Sequence, residues 1–187
     1  YYFMKCTNKF IYCLEGNWNK NPRSNQSIKP MLDLLYTFSK VKYIYHKCAT
    51  KEEFIKGLLT FTQKRYSNYA ILYIAYHGRK NCICFGNEYI TLKEIANLLE
   101  GKLRGIIVHF GSCSTLNTTQ TNITNFITRT ECSFISGYKK DVEYIDSTAF
   151  ELVYFDILQK YDSSKKIKSV ITKRYLTLMN NLHFNVI

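Results

Sequence analysis

The sequence predicts a three-layer α/β/α sandwich built on a mainly parallel central sheet. Three observations carry that expectation. Apolar runs of strand length recur along the chain and are separated by stretches with helical spacing. Two of these runs, 70–76 and 105–110, lack polar alternation, as strands buried on both faces do. Helix-start signals stand between the runs, where the crossovers of a parallel sheet must begin.

Taken in order, Phe10–Leu14 is a short apolar strand closed by Glu15-Gly16-Asn17 and a loop rich in Asn, Pro and Ser. Ser27 then caps a helix carrying Ile28, Met31, Leu32, Leu35 and Phe38. Val41–Tyr45 is a second strand, β-branched and aromatic. Thr50 with Glu53 makes a capping box for a helix carrying Phe54, Leu58, Leu59 and Phe61 on one side. Ala70–Tyr76 is the third strand. After it, Cys82–Phe85, Gly86-Asn87 and Glu88–Ile90 form a small hairpin. Thr91 and Glu94 start another capped helix, Leu92–Glu100, and Gly105–Phe110 is the next buried strand. Residues 114–130 hold a weaker helix around Ile123, Phe126 and Ile127. Cys132–Ser136 is a fifth strand. Asp146 or Ser147 caps a long helix running to Tyr161, and 165–182 forms the last one.

The 187 residues suit one domain spanning 1–187, with neither a repeat nor a linker. At 46% hydrophobic and 16% aromatic residues the chain is too apolar for disorder. It lacks an apolar run of membrane-span length and a signal peptide, which predicts no membrane partner. Its opening on Tyr1 rather than Met suits a trimmed or processed start. Seven cysteines at irregular positions (6, 13, 48, 82, 84, 113, 132) argue against a disulfide framework and for a reducing, cytoplasmic location. The net charge of +12 invites a nucleic-acid reading. It is concentrated in residues 1–50, with 8 bases against 2 acids, and in a lysine face at Lys165, Lys166 and Lys168. Solvated surface accounts for it, and no specific nucleic-acid partner is expected.

In a sheet of this kind, chemistry sits beyond the carboxyl ends of the strands. The loops there are Glu15-Gly16-Asn17-Trp18, His77-Gly78, Gly111-Ser112-Cys113 and Ser136-Gly137-Tyr138. A histidine and a cysteine thus leave adjacent strand ends with one helical crossover between them. Such a pair can convert a thiol into an attacking thiolate, with the imidazole as general base and then acid. Backbone N–H groups of Gly78 and Cys113 are placed to hold an oxyanion.

These residues carry a resemblance. A strand ending in His-Gly (Ile71 through Gly78), followed by one ending in a small-residue turn with Cys (Ile106 through Cys113), resembles the caspase-like cysteine peptidases. That group includes caspases, metacaspases, legumains, gingipains, separases and CHAT domains. The likeness covers about residues 9–160 and is nearest to bacterial caspase-like proteins. It implies a caspase-like fold, Cys113 as nucleophile, His77 as general base and acid, and Gly78 with Cys113 as oxyanion donors. It implies no cofactor or metal, and a protein or peptide substrate. It also implies restraint by a separate regulatory or sensor protein, by self-association or by trimming, as in an anti-phage defence effector.

The resemblance further implies a first substrate pocket built from Glu15 with Asn17, from Gly111 with Ser112, and from Tyr138 through Ser147. The last segment holds Asp141, Glu143 and Asp146. By charge complementarity, cleavage is expected after Arg or Lys, with Asp146 the first choice of acid and Glu15 the second. Asp146 equally suits a helix N-cap. Metacaspases place an acid two residues before the cysteine, where this chain has Gly111.

Other candidates have plainer readings. His109 lies inside a buried strand and is expected as a satisfied core histidine. His46 and His183 read as surface positions. Cys82 and Cys84 share one side of a hairpin strand, half of a metal site at most. Cys6, Cys13, Cys48 and Cys132 read as packing, and Trp18 either walls the substrate groove or packs on the core. Two other function classes remain. One is a catalytically inactive caspase-like binding module. The other is a flavodoxin-like nucleotide-binding domain, which needs a Gly-rich phosphate loop or an acid cluster where only Glu15 stands.

Overall fold

Strand periodicity sets the layers. In β1 (Ile11–Glu15) and β3 (Ile71–Ala75) every residue is buried, and successive side chains point to opposite faces. Tyr12, Leu14, Leu72 and Ile74 feed one core; Ile11, Cys13, Ile71, Tyr73 and Ala75 feed the other. The computed structural model describes residues 8–19, 21 and 23–187; Cys6 and the loop residues Lys20 and Pro22 lie outside them.

The first core is covered by α2 (Lys51–Phe61), α3 (Leu92–Leu98) and α4 (Gln120–Thr130), through Phe54, Leu58, Ile95 and Phe126 among others. The second is covered by α1 (Lys29–Ser39), α5 (Tyr144–Lys160) and α6 (Ser164–Asn181), through Leu32, Phe150, Tyr154, Phe155 and Ile171. Between them lie six strands in the order β2-β1-β3-β7-β8-β9. Here β2 is Tyr43–Lys47, β7 Ile107–Phe110, β8 Phe134–Tyr138 and β9 Phe184–Val186. Five of the six run parallel, and β9 is antiparallel to β8. This is the three-layer α/β/α sandwich that the strand–helix rhythm predicts. A second small sheet, β4 (Gly78–Arg79), β5 (Cys82–Phe85) and β6 (Glu88–Thr91), leaves the end of β3 as an antiparallel meander. Among the described residues no helix is long and apolar enough to cross a membrane.

Local chemistry explains most boundaries. Both capping boxes form: Thr50 with Glu53 opens α2, and Thr91 with Glu94 opens α3. Two expected caps are otherwise. Ser27 does not cap α1, whose N-cap is Ile28 with Pro30 supplying the helical start. From the position before it, the Ser27 oxygen accepts from Lys29 N–H (3.1 Å) while its hydroxyl donates to Glu15 Oε2 (2.6 Å). The long helix starts at Tyr144, with Glu143 in the cap position and no side-chain cap bond, so neither Asp146 nor Ser147 caps it. Strand β9, absent from the sequence expectation, is a three-residue edge element. Its local pattern is too short to show, and it exists because β8 offers it a ladder.

Register sets the height of the loops. Ile74 pairs with Phe110 across β3 and β7, so His77 and Cys113 each stand three residues past one rung. From β1 the chain crosses to β2 on one side, whereas from β3 it crosses toward β7 on the other. The crevice at such a reversal is where open α/β sheets bind ligands.

Candidate active site

Close backbone approach brings the β1 and β3 loops together. A Cβ on Gly16 would lie 2.3 Å from Tyr76 Cδ1, so only glycine lets the ring of Tyr76 pack there. Trp18, two residues on, reaches the histidine. His77 Nε2 lies 2.8 Å from the Trp18 carbonyl oxygen, and their rings meet edge-on at 5.4 Å. A carbonyl oxygen can only accept, so Nε2 carries the proton and the basic lone pair of the neutral ring is on Nδ1.

The β7 loop is stitched to the same edge. Gly111 N–H donates to the Ile74 carbonyl (2.9 Å), as does the Ser112 hydroxyl (3.3 Å), and Leu116 N–H donates to the Tyr138 carbonyl (3.0 Å). Cys113 is half-buried. Its sulfur accepts from Val142 N–H (3.5 Å). Burial raises the Cys113 thiol above its ordinary pKa; the Val142 N–H opposes this, and the charges of Asp141 and Glu143 add to it. The resting sulfur is therefore a thiol at neutral pH.

His77 and Cys113 both line one cavity of about 120 Å³, walled also by Trp18, Tyr73, Val142 and Tyr144. That is well under the 300 Å³ or so of a cofactor pocket and suits a single side chain. A larger groove of about 430 Å³, formed with Asn17, Tyr76, Cys84 and Phe85, runs along the other side of His77.

Two backbone donors complete the arrangement. Cys84 N–H donates to the His77 carbonyl (2.9 Å), which makes Gly78–Ile83 the non-hydrogen-bonded rung of the β4–β5 ladder and turns the Gly78 N–H away from β5. A Cβ on Gly78 would sit 2.4 Å from the Cys113 carbonyl oxygen and 2.9 Å from Ser112 Cβ, so the two loops touch where only glycine fits. The Cys113 N–H makes no hydrogen bond to another of the described residues and lies toward its own sulfur.

The model of a family of unknown function, DUF6642, matches residues 8–187. The chain belongs to that family. No curated protein matches it. The match takes in the whole described sheet and the loops that carry His77 and Cys113.

The acids named from sequence lie elsewhere. The Glu15 carboxylate is fully buried and does not line the cavity. It accepts from Trp18 Nε1, Ile28 N–H (2.7 Å), Ser27 and Tyr45. Four donors saturate a carboxylate, so Glu15 holds the loop that carries Trp18. Asp141 accepts from the Ser114 hydroxyl (2.7 Å), and Asp141, Glu143 and Asp146 are all exposed and outside the cavity lining. Gly111 lines the cavity, whereas Ser112 is buried on the backbone.

The acid that does line the cavity is Glu151. It is 2% exposed and lines the cavity from α5. Tyr73 donates to its Oε2, while Tyr138 (3.0 Å) and His109 Nε2 (3.1 Å) donate to Oε1. Burial, and then the charge of Glu151, raise both phenols far above their ordinary value, so they remain donors. A Cβ on Gly111 would lie 2.9 Å from Glu151 Oε1 and 2.6 Å from Tyr73 Cε2. The glycine is what leaves room for this acid. One sequence signal points to Glu151: it interrupts the apolar stripe Phe150, Tyr154, Phe155 and Leu158, and a charge on such a stripe is the informative exception.

His109 is buried and paired with Ser136 and Glu151, a satisfied core histidine. His46 and His183 are exposed. Cys13, Cys48 and Cys132 are buried. Cys82 and Cys84 are half-buried, with Arg79 Nε donating to Cys84 Sγ (3.2 Å). Among the described residues no three His, Cys, Asp or Glu side chains are grouped to hold a metal ion.

Proposed function

We propose that this protein is a cysteine endopeptidase acting through Cys113 and His77. The observation that carries the reading is that these two side chains, from adjacent parallel strands, line one side-chain-sized cavity. The hydrogen bond of His77 to the Trp18 carbonyl leaves Nδ1 as its basic nitrogen.

With a raised thiol pKa the dyad starts neutral, so His77 acts as a general base rather than as half of a standing ion pair. Nδ1 takes the Cys113 proton as sulfur attacks the peptide carbonyl carbon. The oxygen becomes an oxyanion that the N–H groups of Gly78 and Cys113 can bind. The C–N bond then breaks, and the amine departs with the proton held on His77. Water attacks the remaining thioester, gives a proton to His77, and the carboxylic acid leaves as the thiol reforms. Nε2–H stays on the Trp18 carbonyl throughout, which stabilises the imidazolium that forms in each half-reaction. Cytosolic residence and control by a separate protein partner belong to the same proposal.

A peptide acyloxymethyl ketone tests it. Stoichiometric labelling at Cys113, lost in Cys113→Ala and slowed at least about 100-fold in His77→Ala, is the expected result. Unimpaired labelling in His77→Ala, or modification spread over Cys82 and Cys84 instead, would refute the dyad.

A further inference from the structure

The cavity beside Cys113 ends on an acid whose needs are incompletely met. Glu151 lies among aromatic rings, and an isolated carboxylate in such a place is costly unless paired. Its two oxygens offer about four acceptor positions, and three are taken, by Tyr73, Tyr138 and His109. The open position is on Oε2. Among the described residues no lysine or arginine comes within ion-pair distance of it; His109 is its one basic neighbour. Tyr144 lines the same cavity, and its enclosed hydroxyl has no hydrogen-bond partner. Burial, then the charges of Glu15 and Glu151, push that phenol up to about 12, so it sits as a neutral group close to both acids. A spare carboxylate acceptor and an orphan hydroxyl, each on a residue that lines one small cavity with Gln26, Ser147, Thr148 and mainly apolar walls, call for a cationic donor at the end of a long apolar stem.

We propose that Glu151 selects the substrate: the cavity takes an arginine or lysine side chain, with its cationic head on Glu151 Oε2 and the Tyr144 hydroxyl. This rests on the peptidase reading for the identity of the guest as the residue before the scissile bond. The pocket itself can be tested without turnover. The acid arrives from α5 into the space that a side chain at position 111 would fill. The basic preference thus comes from neither Asp146 nor Glu15.

Agmatine, a guanidinium on a short alkyl chain, is the probe. Calorimetric titration of the full chain is expected to show one site. Glu151→Gln should weaken it by roughly 10- to 100-fold, the scale of one charge-assisted hydrogen bond. Tyr144→Phe should weaken it several-fold without lowering the melting temperature, since it deletes an unpartnered hydroxyl. Peptides with Arg, Lys, Gln, Asp or Leu before the scissile bond should be cut after Arg and Lys, and Glu151→Gln should lower kcat/KM for those two and not for Gln. No agmatine binding, or equal binding by Glu151→Gln, overturns the proposal. If Glu151→Gln does not fold, unchanged affinity in Tyr144→Phe overturns it. Cleavage confined to Asp or Leu peptides also overturns it and leaves the peptidase standing. Glu151-dependent agmatine binding without cleavage or labelling keeps the pocket and removes the peptidase.

Discussion

Two buried carboxylates stand at the carboxyl edge of this sheet, and they differ in one respect. Glu15, at the end of β1, is 0% exposed and has four donors; Glu151, on α5, is 2% exposed and has three, with a cavity in front of it. Both sit near Trp18 and Tyr144, and charge alone does not tell them apart. Counting donors does. A saturated carboxylate organises its surroundings: Glu15 ties together the indole of Trp18, the start of α1 and Tyr45 on β2, and through Trp18 it sets the backbone carbonyl that orients His77. An unsaturated one facing a cavity is free to bind. The sequence-based choice of Glu15 as a substrate contact falls on a residue with no hydrogen-bonding capacity left.

The contrast can be broken most forcefully at Glu15. Glu15→Ala strands several buried donors, each costing about 1–3 kcal/mol. A loss of about 3 kcal/mol or more in urea unfolding is expected, together with loss of Cys113 labelling as the Trp18 loop is released. A stable, fully reactive Glu15→Ala protein would show that the loop is held by other means. At Gly78 a methyl group meets Thr115 Oγ1 at 2.3 Å and the Cys113 carbonyl at 2.4 Å. Gly78→Ala should cost roughly 1–3 kcal/mol and, on the proposed peptidase reading, abolish turnover, because the colliding partner is backbone of the Cys113 loop. Trp18→Phe keeps the ring and the carbonyl but removes the indole N–H from Glu15. A stability loss of about 1–2 kcal/mol, with His77 still competent, separates the hold on the loop from the chemistry.

The smallest effect concerns charge near Cys113. The Cys113 thiol is raised, so its thiolate fraction at neutral pH is depressed and alkylation by iodoacetamide should climb with pH to a midpoint above a thiol's usual value of about 8.5. Asp141 contributes to the raise, so Asp141→Asn should move that midpoint down by a fraction of a pH unit. Peptide-resolved mass spectrometry reads both. A midpoint below the usual value would mean that a standing imidazolium–thiolate pair exists after all.

How much was legible follows from the range of each interaction. Capping at Thr50 and Thr91 is settled within three residues, and both boxes formed. The adjacency of His77 and Cys113 follows from two apolar runs joined by one right-handed crossover, which puts their strand ends side by side. Ser27 was legible as a residue that binds a first-turn N–H, which it does from one position before the N-cap, but its bond to Glu15, twelve residues earlier, was not. The start of α5 at Tyr144 rests on no side-chain cap, which leaves the local pattern without a marker. Asp141, Glu143 and Asp146 drew attention as acids near the site in sequence, yet a helix directs side chains by its rotation, and the rotation of α5 sends Glu151 inward.

The amino-acid sequence by itself determined the layer architecture, five of the six main strands, two helix starts and the placing of His77 and Cys113 at adjacent strand ends. Each depends on periodicity or on neighbours a few residues apart. Tertiary structure alone decided which carboxylate is saturated and which faces a cavity. The donors on Glu15 come from α1, β2 and Trp18, and those on Glu151 come from β3, β7 and β8. Saturation of a buried charge is a sum over groups far apart in the chain, and only packing brings those groups together.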